Sequence, residues 1–227
     1  MVRYLGPDVV SSMLLTSHPE VVTADNQVDA WVVGSGMASP LTEENLARVV
    51  ATQSSEVPIV VDAGGLDHVE NFGPLTILTP HEGELRHMAT RLGIPLEGSP
   101  VDISLAVAKH LGHTVVVKGS ITRVVNAAGS VWELPVATPW LATAGTGDAL
   151  AGIMGALCAA WHDRIAEQPE FLPEIAATAA LIHHTAAAYA SATAAWDADS
   201  PSGGPFSVMD VCRQVSGVIA RTLSESP

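Results

Sequence analysis

Positively charged side chains are scarce in this 227-residue sequence, which has 10 Lys and Arg against 24 Asp and Glu and a formal net charge of −14. Nucleic acids and anionic membranes attract basic protein surfaces, so a chain this acidic is not expected to bind either. An anionic small molecule would have to be held by local donors. Any such site must therefore rest on backbone amides and single cations rather than on a broad basic patch.

Cysteines and long apolar runs are also rare. Cys158 and Cys212 lie in apolar surroundings without CxxC spacing, which favours two reduced core residues over a disulfide or a metal site. No basic segment precedes an apolar run near Met1, so no signal peptide is indicated. The uncharged stretch 149–162 is too short to span a membrane, and 175–196 is rich in Ala, His and Thr. We expect a soluble, cytoplasmic protein of one domain, although two small domains would also fit the length.

Four short apolar runs are each followed by glycine or by polar residues. The runs are Trp31–Val33, Ile59–Val61, Thr76–Leu78 and Val115–Val117. They are apolar on both faces and rich in β-branched residues, which is typical of buried parallel strands. Helix patterns or helix start signals lie between them, at Leu41, at Thr79-Pro80 with Glu82, and at Ser99-Pro100 with Asp102. This alternation predicts an open α/β sheet with right-handed crossovers.

Ligands of such sheets bind beyond the carboxyl ends of the parallel strands. The residues expected at that edge are Gly34, Gly36, Asp62, His81, Lys118 and the loop before Asp148. After Lys118, the runs 121–126 and 130–134 predict a hairpin. Two further helices are predicted, from about 176 to 195 and from about 207 to 223, with a loop at 201–205 between them.

The strongest site pattern is a loop of small residues at 142–152, which contains Gly145, Gly147 and a single acid, Asp148, and leads into an uncharged helix. The first amides of a helix lack intrahelical partners and lie at the positive end of the helix dipole, so they can hold a phosphate or a developing oxyanion. Asp148 would repel a phosphate and is better explained as a base that activates the group attacking it. The structural alternative is that Asp148 only caps the helix.

Five segments together resemble the ADP/ATP-dependent NAD(P)H-hydrate dehydratase family, which has a ribokinase-like fold. The segments are Val33-Gly34-Ser35-Gly36, Val61-Asp62-Ala63, residues 78–84, residues 117–122 and residues 144–152. The T-P-H-x-G-E segment followed by G-T-G-D is specific, whereas either pattern alone would be weaker.

The resemblance implies a single α/β, ribokinase-like domain over residues 1–227, with a mostly parallel central sheet flanked by helices. It implies dehydration of hydrated NADH or NADPH, driven by phosphoryl transfer from ADP or ATP. A divalent ion, Mg²⁺, is expected to offset the charge of the nucleotide, and no metal cage made only of protein ligands is visible. We also expect a homo-oligomer.

The resemblance also assigns roles by position. The substrate contacts are Gly36, His81 and Asp148, and Asp148 is the catalytic base. The nucleotide contacts are Lys118, Gly119, Ser120, Ile121, Thr122 and Gly147. The amides of Gly145, Thr146 and Gly147 are expected to stabilise charge on the transferring phosphoryl group.

The sequence departs from the family pattern at two places. Members carry a further strand, helix and Gly/Ala-rich segment before the position of Met1, so the expectation is a domain without that first strand and helix: a truncated form, an alternative start or a variant without activity. A subunit contact would then cover the exposed sheet edge. The second departure is Gly64, which stands where members usually have a carboxylate.

Two other functions stay open at this point. A small-molecule kinase of the same fold, acting on a hydroxymethylpyrimidine, a thiazole or a sugar alcohol, would share the aspartate base and the glycine loop. A nucleotide-binding protein without catalysis is the second alternative. A Rossmann dehydrogenase is disfavoured because residues 34–39 and 145–150 fail the G-x-G-x-x-G spacing, and a Walker A loop is absent.

Structural alternatives also exist for individual residues. Lys118 can form an ion pair instead of contacting a nucleotide, and Asp62 can bind backbone amides instead of taking part in catalysis. His81 can be a solvated residue of a first helical turn. Glu82 is predicted to be the cap partner of Thr79, which leaves Glu84 to face the site. The pair at 183–184 is interpreted as two packed histidines rather than a metal site.

Overall fold

The structure is a computed structural model that describes residues 1–37, 41–53, 56–194 and 203–225. Within these residues, six strands form one sheet in the order β1-β2-β3-β4-β5-β6. The strands are β1 Trp31–Val33, β2 Ile59–Val61, β3 Thr76–Leu78, β4 Thr114–Val117, β5 Arg123–Val125 and β6 Val131–Glu133. Strands β1 to β4 are parallel, and β5 and β6 continue the sheet antiparallel. The predicted parallel strands and hairpin are confirmed.

Helices cover both faces of this sheet. The helices of the described residues are α1 Asp8–Ser17, α2 Glu43–Gln53, α3 Glu82–Arg91, α4 Pro100–Leu111, α5 Thr146–Ala160, α6 His162–Glu167, α7 Leu172–Ala194 and α8 Val208–Glu225. Of these, α2 to α4 pack on one face of the sheet and α5 to α7 on the other. Short 3₁₀ segments lie at Ala63–Asn71, Pro139–Leu141 and Pro169–Phe171. The predicted endpoint 195 of the alanine-rich helix and residues 201–202 of the predicted loop lie outside the described residues.

The sheet is buried on both faces because neighbouring residues of each strand pack against different helices. Val61 belongs to the core formed with α2, α3 and α4, whereas Val60 belongs to the core formed with α5, α6 and α7. Both side chains are fully buried. This two-sided burial explains why the strands are apolar throughout rather than alternating in polarity.

Helix α8 packs on the outside of α7 through one apolar stripe. Val211 and Val218 lie in this contact and are buried, with Val215 packed against it. Cys212 follows Val211 on the helix and points away from the stripe, so it is exposed. The prediction of a core position is therefore wrong for Cys212 and confirmed for Cys158, which is buried; both thiols are free.

The predicted start of α3 needs a correction. The residue that caps this helix is His81, whose ring accepts hydrogen bonds from the amides of Gly83 and Glu84, while the Glu84 carboxylate accepts from the His81 amide. Glu82 instead pairs with Arg86 one turn later. The prediction that Glu82 caps the helix with Thr79 is wrong, because the helix begins at Glu82 and its N-cap is His81, two residues after Thr79. The predicted capping box of Ser99 and Asp102 at α4 is confirmed.

No helix in the described part of the chain combines the length and the hydrophobicity that a membrane crossing requires.

Helix α7 carries two buried histidines, His183 and His184. The side chain of His183 is only 4% exposed, and neither ring nitrogen has a hydrogen-bond partner among the described residues. Burial lowers the pKa of His183 to about 4, and the neighbouring His184 adds to this shift. The nearby backbone of Thr146 acts to raise this pKa, but it forms no hydrogen bond with the ring. The folded chain therefore holds His183 neutral well below neutral pH.

The His183→Leu variant should lose less stability in mild acid than the parent protein. The unfolded chain binds a proton at the ordinary histidine pKa of about 6.5, whereas the folded chain does so only near pH 4. The unfolding free energy of the parent should fall by about 2 kcal/mol more than that of His183→Leu between about pH 7.5 and about pH 5. Urea unfolding of both proteins across this range measures the difference. Parallel pH profiles would contradict the buried neutral state of His183.

Candidate functional site at the carboxyl edge of the sheet

The carboxyl ends of the first four strands meet at one edge, as predicted. The Lys118 amide donates to the Pro80 carbonyl at 2.8 Å, so β3 and β4 keep pairing one residue further and bring His81 beside Lys118. Gly34 lies so close to the Asp62 carbonyl that no side chain would fit there. We refer to residues 34–36, Asp62, His81, Lys118 and residues 145–148 as the carboxyl-edge site.

An ion pair lies at the centre of the carboxyl-edge site. Lys118 Nζ is 2.7 Å from Asp62 Oδ1, and Asp62 is only 3% exposed. Glu84 Oε2 lies 3.8 Å from the same ammonium. The structural alternative for Lys118 is thus present, and the pair joins the ends of β2 and β4 across the end of β3. Asp62 has its charge balanced by Lys118, which is why a carboxylate can be buried here.

The first turn of α5 reaches this ion pair. A Cβ atom added to Gly147 would lie 3.4 Å from Lys118 Nζ and 3.8 Å from Asp62 Oδ2. The helix is preceded by Gly145, whose φ of 87° is left-handed, and no side chain caps the helix. The first turn of α5 therefore lies against the ion pair with the end of the helix at which the dipole is positive.

The amides of this turn are not all available. The Thr146 hydroxyl donates to the carbonyls of Leu141 and Thr143, at 2.8 Å in each case, and the Thr146 amide donates to Thr143 at 3.3 Å. The amides of Gly147 and Asp148 make no hydrogen bond within the described residues. Thr146 therefore holds the loop in shape, and Gly147 and Asp148 present the free donors. The amide of Asp148 was missed by the sequence analysis.

The carboxylate of Asp148 is oriented from another strand. Ser35, in the loop after β1, donates its hydroxyl to Asp148 Oδ1 at 2.5 Å. Asp148 is exposed, and its Oδ2 accepts no hydrogen bond from the part of the chain that the structure describes. The side chain does not cap α5, so the capping alternative for Asp148 is wrong. One oxygen is held and the other is free, as a general base requires.

Ser35 was also missed by the sequence analysis as a functional residue, although it lies in one of the quoted family segments. The available signal was a hydroxyl between two glycines at the end of a strand. Gly36, the next residue, is exposed, and no atom lies within 4 Å of the point where its Cβ would be. The backbone at Gly36 is therefore open to a ligand.

His81 presents a donor to the same edge. Its Nδ1 accepts from the amides of Gly83 and Glu84, at 3.0 and 3.2 Å. A neutral ring that accepts at Nδ1 carries its proton on Nε2. The side chain is 60% exposed, and Nε2 is 3.6 Å from Glu84 Oε1. His81 is thus partly solvated, and its cap fixes both the ring and the tautomer.

The segment 118–122 divides into an exposed and a buried part. Gly119 and Ser120 are exposed, and the Ser120 carbonyl accepts from the Ala137 amide at 2.9 Å. Thr122 is only 2% exposed, and its hydroxyl lies 3.1 Å from His184 Nε2. The Thr122 side chain therefore points into the protein, which its predicted role in nucleotide binding did not anticipate.

The charges of the carboxyl-edge site favour an added cation. When the neighbouring Glu84 is counted with the site, the carboxylates of Asp62, Glu84 and Asp148 stand against the one ammonium of Lys118, which gives a formal charge of −2 when these groups are ionised. No group of three or more His, Cys, Asp or Glu in the described ranges could hold a metal ion by itself. This donor set suits Mg²⁺, which keeps several waters and binds through one or two carboxylates together with phosphates.

A family model described as NAD(P)H-hydrate dehydratase matches residues 3–202. The chain is 37% identical over 171 residues to a bifunctional NAD(P)H-hydrate repair enzyme of Mycobacterium tuberculosis, covering 70% of this chain and 35% of that enzyme. It is 33% identical over 154 residues to an ADP-dependent (S)-NAD(P)H-hydrate dehydratase of Xanthomonas campestris, covering 67% of this chain and 53% of that enzyme. The chain thus spans about a third to about a half of the length of these relatives.

The fold resembles that of an ADP/ATP-dependent NAD(P)H-hydrate dehydratase from Bacillus subtilis that was co-crystallized with ATP/Mg²⁺ and soaked with CoA. The TM-score is 0.73 at 23% identity, and the match covers 94% of this chain and 78% of that one. The predicted ribokinase-like fold is confirmed.

The burial of the Lys118–Asp62 pair predicts that its two charges are strongly coupled. A double-mutant cycle with Asp62→Asn and Lys118→Met should give a coupling energy of about 1–3 kcal/mol in urea unfolding, because either single change leaves a partly desolvated charge. Glu82 and Arg86 are the control pair, at a similar distance of 2.9 Å but with side chains 56% and 39% exposed. Their cycle should give about 0.3–0.5 kcal/mol. Equal coupling in both cycles would contradict the role of burial.

Proposed function

This chain belongs to the NAD(P)H-hydrate dehydratase family, and we propose that it catalyses the dehydration of hydrated NADH or NADPH at the expense of ADP or ATP. The observation that carries the proposal is the convergence of a base, free amides and an ammonium. The base is Asp148, the amides belong to Gly147 and Asp148, and the ammonium belongs to Lys118. The names of the relatives support the choice of substrate.

The chemistry explains why a phosphate donor is needed. The substrate carries a hydroxyl on C6 of its nicotinamide ring, and hydroxide is a poor leaving group. Asp148 takes the proton of this hydroxyl group while the hydroxyl oxygen attacks the terminal phosphorus of the nucleotide. The bond from that phosphorus to the rest of the nucleotide breaks. Phosphate then leaves with the oxygen, assisted by the lone pair of the ring nitrogen. Loss of a proton from the neighbouring ring carbon gives NADH or NADPH.

The other residues of the carboxyl-edge site bind and orient. The amides of Gly147 and Asp148, together with Lys118, face the transferring phosphoryl group and stabilise its charge. Ser35 holds Asp148 so that Oδ2 is directed at the hydroxyl, and His81 donates from Nε2 to the substrate. Gly36 offers its backbone to the substrate, and residues 118–122 and 145–147 bind the nucleotide. A bound Mg²⁺ would offset the negative charge of the phosphates.

A product assay tests this proposal against the two alternatives. The protein is incubated with ADP, with and without hydrated NADH. The proposed reaction forms AMP, phosphate and NADH, and all three appear only when the hydrate is present. A stable phosphorylated alcohol formed from ADP or ATP and a vitamin precursor or sugar would favour the kinase. Binding of ADP without any turnover would favour a nucleotide-binding protein.

The sharpest test of the mechanism is Asp148→Asn. This change removes the base but keeps the size of the side chain and the Asp148 amide, so turnover should fall by a factor on the order of 10²–10⁴. The affinity for ADP, measured by calorimetry, should change little. Asp163→Asn is the control, since that side chain is 91% exposed. Turnover of Asp148→Asn close to that of the parent would remove Asp148 from the base role.

Ser35→Ala should have a smaller effect than Asp148→Asn. It removes one hydrogen bond to the Asp148 carboxylate and leaves the base in place, so turnover should fall by about tenfold. The measurement is turnover of hydrated NADH at saturating ADP. An effect as large as that of Asp148→Asn would mean that Ser35 contacts the reacting groups directly.

A further inference from the structure

Helix α7 lies behind both segments that are proposed to bind the nucleotide. His184 contacts Thr122, at the end of the segment that begins with Lys118, and the side chains of both partners are buried. The ring of His183, one residue earlier, lies near the backbone of Thr146 in the glycine loop. Consecutive residues of a helix point roughly 100° apart, so the two rings face different segments. One helix thus packs against α5 and β5, which follow the two segments, and holds Thr122 through His184.

The direction of the His184–Thr122 hydrogen bond follows from the surroundings of the ring. Burial lowers the pKa of His184, so the ring is neutral and has one donor and one acceptor nitrogen. The backbone of Pro135 acts to raise this pKa, and it can do so only through its carbonyl oxygen, because proline has no N–H group. We assign the proton to Nδ1, which has no partner at hydrogen-bonding geometry within the described residues, and Nε2 as the acceptor of the Thr122 hydroxyl.

The segment 118–122 is anchored at both ends. At its start, Lys118 is fixed by the Pro80 carbonyl and by Asp62. At its end, the Thr122 carbonyl accepts from the Leu134 amide at 3.0 Å, and the Thr122 hydroxyl is held by His184. The residues between are exposed at Gly119 and Ser120. His184 thus supplies the side-chain anchor of the segment from α7, and an apolar side chain at this position would leave the Thr122 hydroxyl unsatisfied.

We propose that His184 is a positioning residue for the nucleotide: it accepts the Thr122 hydroxyl, fixes the end of segment 118–122, and so determines where Gly119 and Ser120 meet the ligand. This inference rests on the proposed function only in taking the nucleotide to bind at that segment. His184 does not touch the reacting atoms, so its removal should weaken nucleotide binding rather than the chemical step.

The experiment compares two replacements of His184. His184→Leu fills the space without an acceptor, whereas the side-chain carbonyl of Gln in His184→Gln can take the place of Nε2. For His184→Leu, the Kd for ADP measured by calorimetry and the KM for ADP should both rise by about tenfold, the effect of one buried hydrogen bond. The kcat and the KM for hydrated NADH should stay within about twofold of the parent values. His184→Gln should recover most of the affinity for ADP.

A second pair of variants tests whether the effect passes through Thr122. Thr122→Val should weaken ADP binding as His184→Leu does, and the double variant should be no weaker than either single one. The control is His113→Leu, which removes another buried histidine, 3.4 Å from the Val69 carbonyl. His113→Leu should lower stability without changing the affinity for ADP.

Three outcomes would overturn the positioning role: parent-like ADP affinity in His184→Leu, equal losses in His184→Leu and His184→Gln, or no binding of ADP to the parent. Failure of the proposed function looks different. A parent that binds ADP but does not dehydrate the hydrate would refute the activity, and the calorimetric comparison of the His184 variants would still decide the positioning role.

Discussion

The ion pair of Asp62 and Lys118 is the contact on which the geometry of the carboxyl-edge site depends. It connects the ends of β2 and β4 across the end of β3, and it is mostly withdrawn from water. A charge in such a place is tolerated only while its partner remains. The backbone pairing of the sheet sets the spacing of the strand ends, and the ion pair bridges them and holds the Lys118 ammonium beside Gly147 in the first turn of α5. Asp148 and His81 are then oriented by contacts of their own, with Ser35 and with the first amides of α3.

The same arrangement is consistent with the proposal that a chain with a net charge of −14 binds a phosphate at this edge. Lys118 is largely neutralised by Asp62, so it is not the main source of attraction. The free amides of Gly147 and Asp148 bring partial positive charge without a counter-ion, and their orientation is set by the helix. The excess of carboxylates is then an argument for a cation that arrives with the nucleotide. Attraction here is local and does not require a basic surface.

The sequence was sufficient to predict the strands, the edge and the residue types at each strand end, because parallel strands and helix starts have local patterns. It was insufficient where a contact joins distant segments. Ser35 and Asp148 are 113 residues apart, and Thr122 and His184 are 62 apart, so no local pattern indicates either pair. The cap of α3 was missed for another reason. His81 acts through a ring nitrogen, whereas the usual capping pattern is a Ser or Thr hydroxyl.

The glycine at position 64 can be explained on the same physical grounds. The residue that pairs with Lys118 is Asp62 and not residue 64. The turn that follows Asp62 is closed by the Gly65 amide, which donates to the Asp62 carbonyl at 3.0 Å. Gly64 itself is buried, so a carboxylate there would need a partner of its own at an edge that already has more acids than bases. With glycine at position 64, the ion pair, the free amides and the hydrogen bond that orients Asp148 are all present. The base, the free amides and the ammonium that the proposed chemistry uses therefore do not depend on a side chain at position 64.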